Sequence, residues 1–138
     1  KYIRIRDIDN YITRLKGHRT EICTINGKCT CQFVIEADGS VYPCDFYVTD
    51  EWMMGNIADN GFDELLGSEN AIRFVRSSLD RGNECGSCTW NSICRGGCRR
   101  YWEPITDGVM VRNKFCESYK MFFKNSYQRL AEVAGRIK

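Results

Sequence analysis

Four cysteines fall within the fourteen residues Cys85-Gly86-Ser87-Cys88-Thr89-Trp90-Asn91-Ser92-Ile93-Cys94-Arg95-Gly96-Gly97-Cys98, spaced C-x2-C-x5-C-x3-C. This run constrains the fold more than any other stretch, because a two-residue gap lets one tight turn aim two sulfurs at the same metal centre. Gly96 and Gly97 permit a left-handed or sharply bent backbone, and their bare main chain lets N–H groups approach anionic sulfur. Cys23, Cys29, Cys31 and Cys44 precede the run and Cys116 follows it. The pattern is a metal- or cluster-binding framework.

Nine cysteines also allow a secreted disulfide scaffold. The odd count, the tight C-x2-C pair and the lack of anything resembling a signal peptide argue instead for thiolates held by metal in a reducing cytoplasm. With 138 residues, 43% hydrophobic and 28% charged, the chain reads as one globular domain. A formal net charge of +2 gives no case for nucleic acid. No apolar run is long enough to span a bilayer, so no membrane partner is expected. The first residue is Lys1 rather than Met, and we expect a piece of a longer chain.

Taken in order, the elements predict an α+β fold. Tyr2 to Arg6 alternate apolar and basic, as a short edge strand would. Asp7 is positioned to cap a helix whose apolar face is Ile8, Tyr11, Ile12 and Leu15, ended by Gly17. His18, just past that end, reads as a loop residue rather than a ligand. The runs Phe33–Glu36 and Val41–Tyr42 flank Asp38-Gly39, a β-hairpin signal that returns Cys44 towards Cys29 and Cys31. Phe46, Tyr47, Trp52, Met53 and Met54 are expected in the core, and Gly55-Asn56-Ile57 is expected to turn. Helical spacing follows in Phe62, Leu65 and Leu66, then in Ile72, Phe74, Val75 and Leu79, with a cap at Ser68 that splits the two. Pro104 and Gly108 mark a loop. From Glu117 to about Ile137 one long helix carries the stripe Tyr119, Phe123, Tyr127, Leu130, Ala134 and Ile137.

The choice of metal follows from how the ligands are distributed. Structural zinc favours ligands in close pairs that meet at one ion, and only one C-x2-C pair is present. A cubane cluster takes one thiolate at each of four separated iron corners, so dispersed cysteines suit it better. A zinc-binding structural or peptide-binding module remains the alternative.

Gly39, Cys44, the C-x2-C-x5-C-x3-C run and a final cysteine together resemble the seven-cysteine SPASM domain, the C-terminal extension of a branch of radical S-adenosylmethionine enzymes. The segments Cys29-Thr30-Cys31-Gln32-Phe33-Val34, Asp38-Gly39-Ser40-Val41-Tyr42-Pro43-Cys44-Asp45-Phe46-Tyr47, Gly55-Asn56-Ile57 and Gly96-Gly97-Cys98-Arg99-Arg100 resemble anaerobic sulfatase-maturating enzymes. The likeness covers about Cys23 to Tyr119.

That resemblance implies two auxiliary [4Fe–4S] clusters, the first on Cys23, Cys29, Cys44 and Cys98 and the second on Cys85, Cys88, Cys94 and Cys116. It leaves Cys31 as a buried free thiol, and it makes Asp45 the matching position for a catalytic general base. The implied activity is oxidation of a sulfatase cysteine or serine to Cα-formylglycine, with this region transferring electrons and covering substrate. A turn-forming or salt-bridged surface carboxylate is an equally open reading of Asp45. A ribosomal-peptide maturase shares the same cysteine frame and is a second reading. No three cysteines have the C-x3-C-x2-C spacing of the radical site, so this chain alone is expected to be inactive. S-adenosylmethionine and a third cluster are expected only in an upstream radical barrel. Residues 1–22 would be the end of that barrel, 23–116 the auxiliary-cluster domain and 117–138 an amphipathic helix. The implied partners are a sulfatase or peptide substrate and an electron carrier such as ferredoxin or flavodoxin.

Overall fold

The structure, a computed structural model, describes residues 3–79, 81–102 and 112–137. The elements run α1 (Arg6–Leu15), α2 (Cys23–Asn26), β1 (Val34–Ile35), β2 (Ser40–Tyr42), β3 (Gly55–Asn56), α3 (Phe62–Gly67), α4 (Glu69–Ser77), α5 (Asn83–Gly86), α6 (Asn91–Cys94) and α7 (Cys116–Arg136). Helices around one small antiparallel sheet make this the α+β class that the sequence predicts. The chain divides into two compact units: residues 1–27 with 81–138, and residues 28–80.

In the second unit, β2 is the centre of a three-stranded sheet, pairing with β1 (Val34 opposite Tyr42) and with β3 (Val41 opposite Gly55). The Asp38-Gly39 turn sets the hairpin as expected. Asp38 accepts from Ser40 N at 2.9 Å and Ser40 Oγ at 3.0 Å, so its carboxyl sits below the ordinary carboxylate value. Val41, Met54, Leu65 and Ala71 form one buried cluster, and Cys29, Tyr47, Trp52 and Phe74 form another. The three rings of the latter meet edge-on, 5.2–5.9 Å apart, a favoured aromatic geometry. Ser68 separates α3 from α4 as predicted, and its Oγ accepts from Ala71 N at 3.2 Å. Ser78, past the end of α4, accepts from Cys29 N at 2.9 Å, which fixes the backbone at that cysteine.

The first unit is held by α1 against α7. Tyr11 stacks its edge on Phe123 at 5.0 Å, and Ile25, Ile93 and Leu130 complete the buried cluster. Each such side chain contributes roughly 1.5–3 kcal/mol by leaving water. Trp90 joins from the cysteine run, its ring 5.9 Å from Phe123 and 5.4 Å from Tyr127. The long C-terminal helix therefore covers the N-terminal segment.

Several expectations are corrected. Ile3, Arg4 and Ile5 form no strand; they precede a helix that begins at Arg6, and Ile3 and Ile5 are 75% and 57% exposed. Tyr2, the first residue of that expected strand, lies outside the described residues. Asp7 sits in the first helical turn, where its charge favours the helix dipole, and the N-cap is Ile5. Gly55 and Asn56 pair with β2 instead of turning, and the turn comes after them. Phe46 and Met53 are exposed, while Tyr47, Trp52 and Met54 are buried. Tyr127 and Ile137 of the expected stripe are exposed. The loop expected at Pro104 and Gly108 lies outside the described residues.

Candidate metal centre

Cys85, Cys88, Cys94 and Cys116 all line one cavity, with Trp90, Trp102, Arg112, Asn113, Tyr119 and Lys120 among the other lining residues. Local folding presents each sulfur. Cys85 lies in the single turn α5, and Cys88 N closes back onto Cys85 O at 3.3 Å, as a C-x2-C turn requires. Cys94 ends α6, with its N–H bonded to Trp90 O at 2.8 Å. Cys116 opens α7, where its N–H is bonded to Asn113 O at 2.9 Å.

The loop after Cys94 takes three left-handed residues in succession: Arg95 (φ 54°), Gly96 (φ 83°) and Gly97 (φ 72°). This bend turns the Gly96 N–H onto the Cys94 sulfur, the approach expected of the glycine pair. The Gly96 carbonyl is fixed in turn by Trp102 Nε1 at 2.8 Å and Asn113 Nδ2 at 2.7 Å. Asn113 Oδ1 also accepts from Phe115 N at 2.8 Å, so one buried amide joins the Cys94 loop to the start of the helix carrying Cys116. Neither Asn113 nor Arg112 stands out in the sequence. An Asx residue just ahead of a helix was the available signal for Asn113; for Arg112 there was none.

Electrostatics reports the same convergence. Burial pushes the Cys94 thiol up to about 11, with further upward pressure from Cys85, Cys116 and Cys88 and a downward pull from the Gly96 N–H. Burial also raises Cys85, to which Cys116 and Cys88 add while Arg81 opposes. Tyr119 is pushed up to about 12, first by burial and then by Cys94, Tyr101 and Cys98. A cation that takes up the charge at Cys94 and Cys85 would therefore displace their protons. Arg112 opposes the negative charge: its guanidinium is near enough to the Cys116 sulfur that the two attract.

Among the described residues no three His, Cys, Asp or Glu side chains are grouped as a single metal ion would need. Four soft sulfur donors spread around one cavity, with an N–H aimed at one of them, fit a group that meets each thiolate separately.

The remaining predicted ligands fall in both units. Cys23 opens α2, and the Cys98 carbonyl accepts from Tyr101 N at 3.0 Å, both in the first unit. Cys29 and Cys44 belong to the aromatic cluster of the second unit. Cys31 lies between the two clusters of that unit, its Sγ 3.9 Å from Ala71 O, and burial raises its thiol. Asp45 is exposed in the one-turn helix Asp45–Tyr47, and its Oδ1 accepts from Cys44 Sγ at 3.2 Å. His18 is exposed beyond α1.

Residues 19–89 match the SPASM family, described as an iron-sulfur cluster-binding domain. The chain belongs to the SPASM family. Along its length this SPASM chain is 43% identical over 136 residues to a cysteine-type anaerobic sulfatase-maturating enzyme of Clostridium perfringens, covering 99% of this chain and 37% of that enzyme. A serine-type anaerobic sulfatase-maturating enzyme of Bacteroides thetaiotaomicron is 27% identical over 123 residues, 88% of this chain and 30% of the relative. A solved structure, native anSMEcpe with bound AdoMet and Kp18Cys peptide, superimposes with a TM-score of 0.93 at 42% identity, covering 98% of this chain and 37% of the other. The SPASM chain is homologous to the C-terminal region of these enzymes and spans about a third of their length.

Proposed function

We propose that this chain is the auxiliary-cluster part of a radical S-adenosylmethionine enzyme that oxidises a sulfatase cysteine or serine to Cα-formylglycine. The observation that carries this reading is the cavity lined by Cys85, Cys88, Cys94 and Cys116, in a chain 43% identical to a cysteine-type sulfatase-maturating enzyme. Those four residues would hold one [4Fe–4S] cluster, and Cys23, Cys29, Cys44 and Cys98 a second. When bound, such groups supply one-electron redox chemistry. Thiols spread around a cavity favour a cluster over a single zinc ion.

The protein's own side chains do the rest. Gly96 N–H and the Arg112 guanidinium stabilise sulfur anions at Cys94 and Cys116. Trp90 and Trp102 wall the cavity with apolar surface that excludes water. Asp45, exposed and next in sequence to Cys44, would accept at a carboxylate oxygen the proton that leaves the target side chain during oxidation. The radical site and S-adenosylmethionine belong to an upstream barrel, of which residues 1–22 would be the end, so this segment alone would be inactive. The substrate would be a sulfatase or a peptide from one. A carrier such as ferredoxin or flavodoxin would exchange electrons with it in the cytoplasm, where thiols stay reduced.

The test uses the intact protein, reconstituted anaerobically. It should bind about eight irons beyond those of the radical site, and Cys98→Ala should lose about half of them. Asp45→Asn should keep all its iron and still cleave S-adenosylmethionine, while formylglycine formation falls roughly 10²–10⁴-fold. Stoichiometric zinc uptake with refusal of iron would end the cluster reading. Near-normal product from Asp45→Asn would remove only the base.

A further inference from the structure

Arg112 occupies an unusual place beside the four thiols. It lines the cavity with them, and its guanidinium is near enough to the Cys116 sulfur that the two attract and hold Arg112 in its charged form. Two carboxylates hold it there: Nε lies 3.8 Å from Glu84 Oε2, and Nη2 is bonded to Glu117 Oε1. Glu84 precedes Cys85 and Glu117 follows Cys116, so both anchors stand next to sulfur ligands. Lys120 Nζ approaches the same Glu117 Oε1 at 3.2 Å. As stability elements these contacts are weak, because the Arg112 side chain is 46% exposed and surface ion pairs contribute little. Their placement has a different consequence.

Adding an electron to a cluster raises its negative charge, and that charge spreads onto the ligand sulfurs. A cation beside one sulfur stabilises the reduced form more than the oxidised form, which raises the reduction potential. The two carboxylates act in the opposite sense, and they also keep the guanidinium from swinging away into solvent. We propose that Arg112 sets the reduction potential of the cluster held by Cys85, Cys88, Cys94 and Cys116, with Glu84 and Glu117 acting as its positioning residues. This rests on the reading that those four thiols hold a cluster. Arg112 thus makes the site a better electron acceptor, which suits a step that takes an electron from the substrate as it is oxidised.

The experiment is a potentiometric titration of the intact, anaerobically reconstituted protein, followed by electron paramagnetic resonance. The signal of this cluster is the one lost in Cys88→Ala. Arg112→Gln should lower its reduction equilibrium constant threefold to tenfold, about 30–60 mV at 59 mV per tenfold for one electron. Arg112→Lys, which keeps the charge and loses the planar fork, should fall between the two. Glu117→Gln removes an anion but also frees the guanidinium, so it should raise the potential less with Arg112 present than in the Arg112→Gln background; equal shifts would mean that Glu117 does not position Arg112. About 1 M salt should narrow the gap between wild type and Arg112→Gln, because the group is exposed. Should Arg112→Gln fail to load, Arg112→Lys carries the test. A full iron complement with an unchanged potential in the loaded variants overturns the role of Arg112 and leaves the ligand set standing. If Cys88→Ala loses neither iron nor signal, the ligand set is wrong and the proposal falls with it.

Discussion

Replacing Gly97 by alanine tests the loop that presents Cys94 and Cys98, and Gly17 supplies a matched control. Both glycines are left-handed, at φ 72° and 79°. A Cβ at Gly17 meets nothing within 4 Å, whereas at Gly97 it falls 2.8 Å from Asn113 Nδ2 and 3.2 Å from the Tyr119 ring. The left-handed backbone costs an alanine about 1–2 kcal/mol at either site. Lower entropy of the unfolded chain returns about 0.4–1 kcal/mol, so Gly17→Ala should cost a net of about 0.5–1 kcal/mol. At Gly97 the Asn113 amide must retreat from Gly96 O, where it now sits at 2.7 Å, and the half-buried Tyr119 ring crowds the other side. A lost hydrogen bond of about 1 kcal/mol and overpacking of about 1–2 kcal/mol bring the difference between the variants to roughly 2–3 kcal/mol. At 1.4 kcal/mol per tenfold, the loop should open roughly 30- to 150-fold more often in Gly97→Ala than in Gly17→Ala. The assay is the anaerobic rate at which a chelator bleaches the visible absorption of the iron-loaded protein. Equal rates in the two variants would refute the argument, and adding Asn113→Ala to Gly97→Ala should recover part of the steric loss.

Three further outcomes follow from contacts described above. Cys31→Ala should retain the full iron content while lowering the urea midpoint by the equivalent of about 1 kcal/mol, since Cys31 fills space between two clusters of its unit; loss of iron would make it a ligand. Trp102→Phe keeps an aromatic ring but removes the indole N–H from Gly96 O and leaves a void at a buried site, and should cost about 2–3 kcal/mol in thermal unfolding, with the Asn113 bond left in place. For Asp38 the folded carboxyl lies below its ordinary value of 3.8, held there by the Ser40 amide and hydroxyl. Its contribution to stability is therefore fully present above about pH 3.8 and is lost as pH falls through the lower folded value. Carbon-detected magnetic resonance of the Asp38 carboxyl checks this, and a midpoint at or above 3.8 would contradict it.

What could be read from the chain was whatever local chemistry decides. Asp38-Gly39 supplies a turn between β-prone runs, Ser68 supplies a cap between two helical patterns, and the apolar spacing after Cys116 continues for five turns of helix. Elements decided by a partner elsewhere were not legible. Gly55 and Asn56 read as a turn, yet β2 offers an open edge, and the Asn56 amide donates to Asp38 O at 2.9 Å, across eighteen positions of chain. Ile3 and Ile5 alternate like a strand, but alternation needs a neighbour to pair with, and among the described residues they have none. The single-turn helices α5 and α6 are too short for periodicity to register, and hydrogen bonds within the cysteine run make them. The metal centre divides the same way. Spacing marks Cys85, Cys88 and Cys94 of the cavity, whereas Cys116 in place of Cys98 follows only from the family resemblance; Asn113 shows no more than an Asx residue ahead of a helix, and Arg112 carries no pattern of its own.

The joining of α1 to α7 fixes a schedule for biosynthesis. Tyr11 leaves the ribosome more than a hundred residues before Phe123, the ring it packs on. At about 5–20 residues per second, the apolar side of α1 waits roughly 5–20 s for that cover. Residues 28–80, a compact unit of their own, emerge in the interval, whereas the unit that contains α1 and α7 can close only after them. During the wait α1 is a client for any chaperone that reads aromatic and branched apolar side chains on a nascent chain. Release comes only once Cys116 and the helix it opens have been translated.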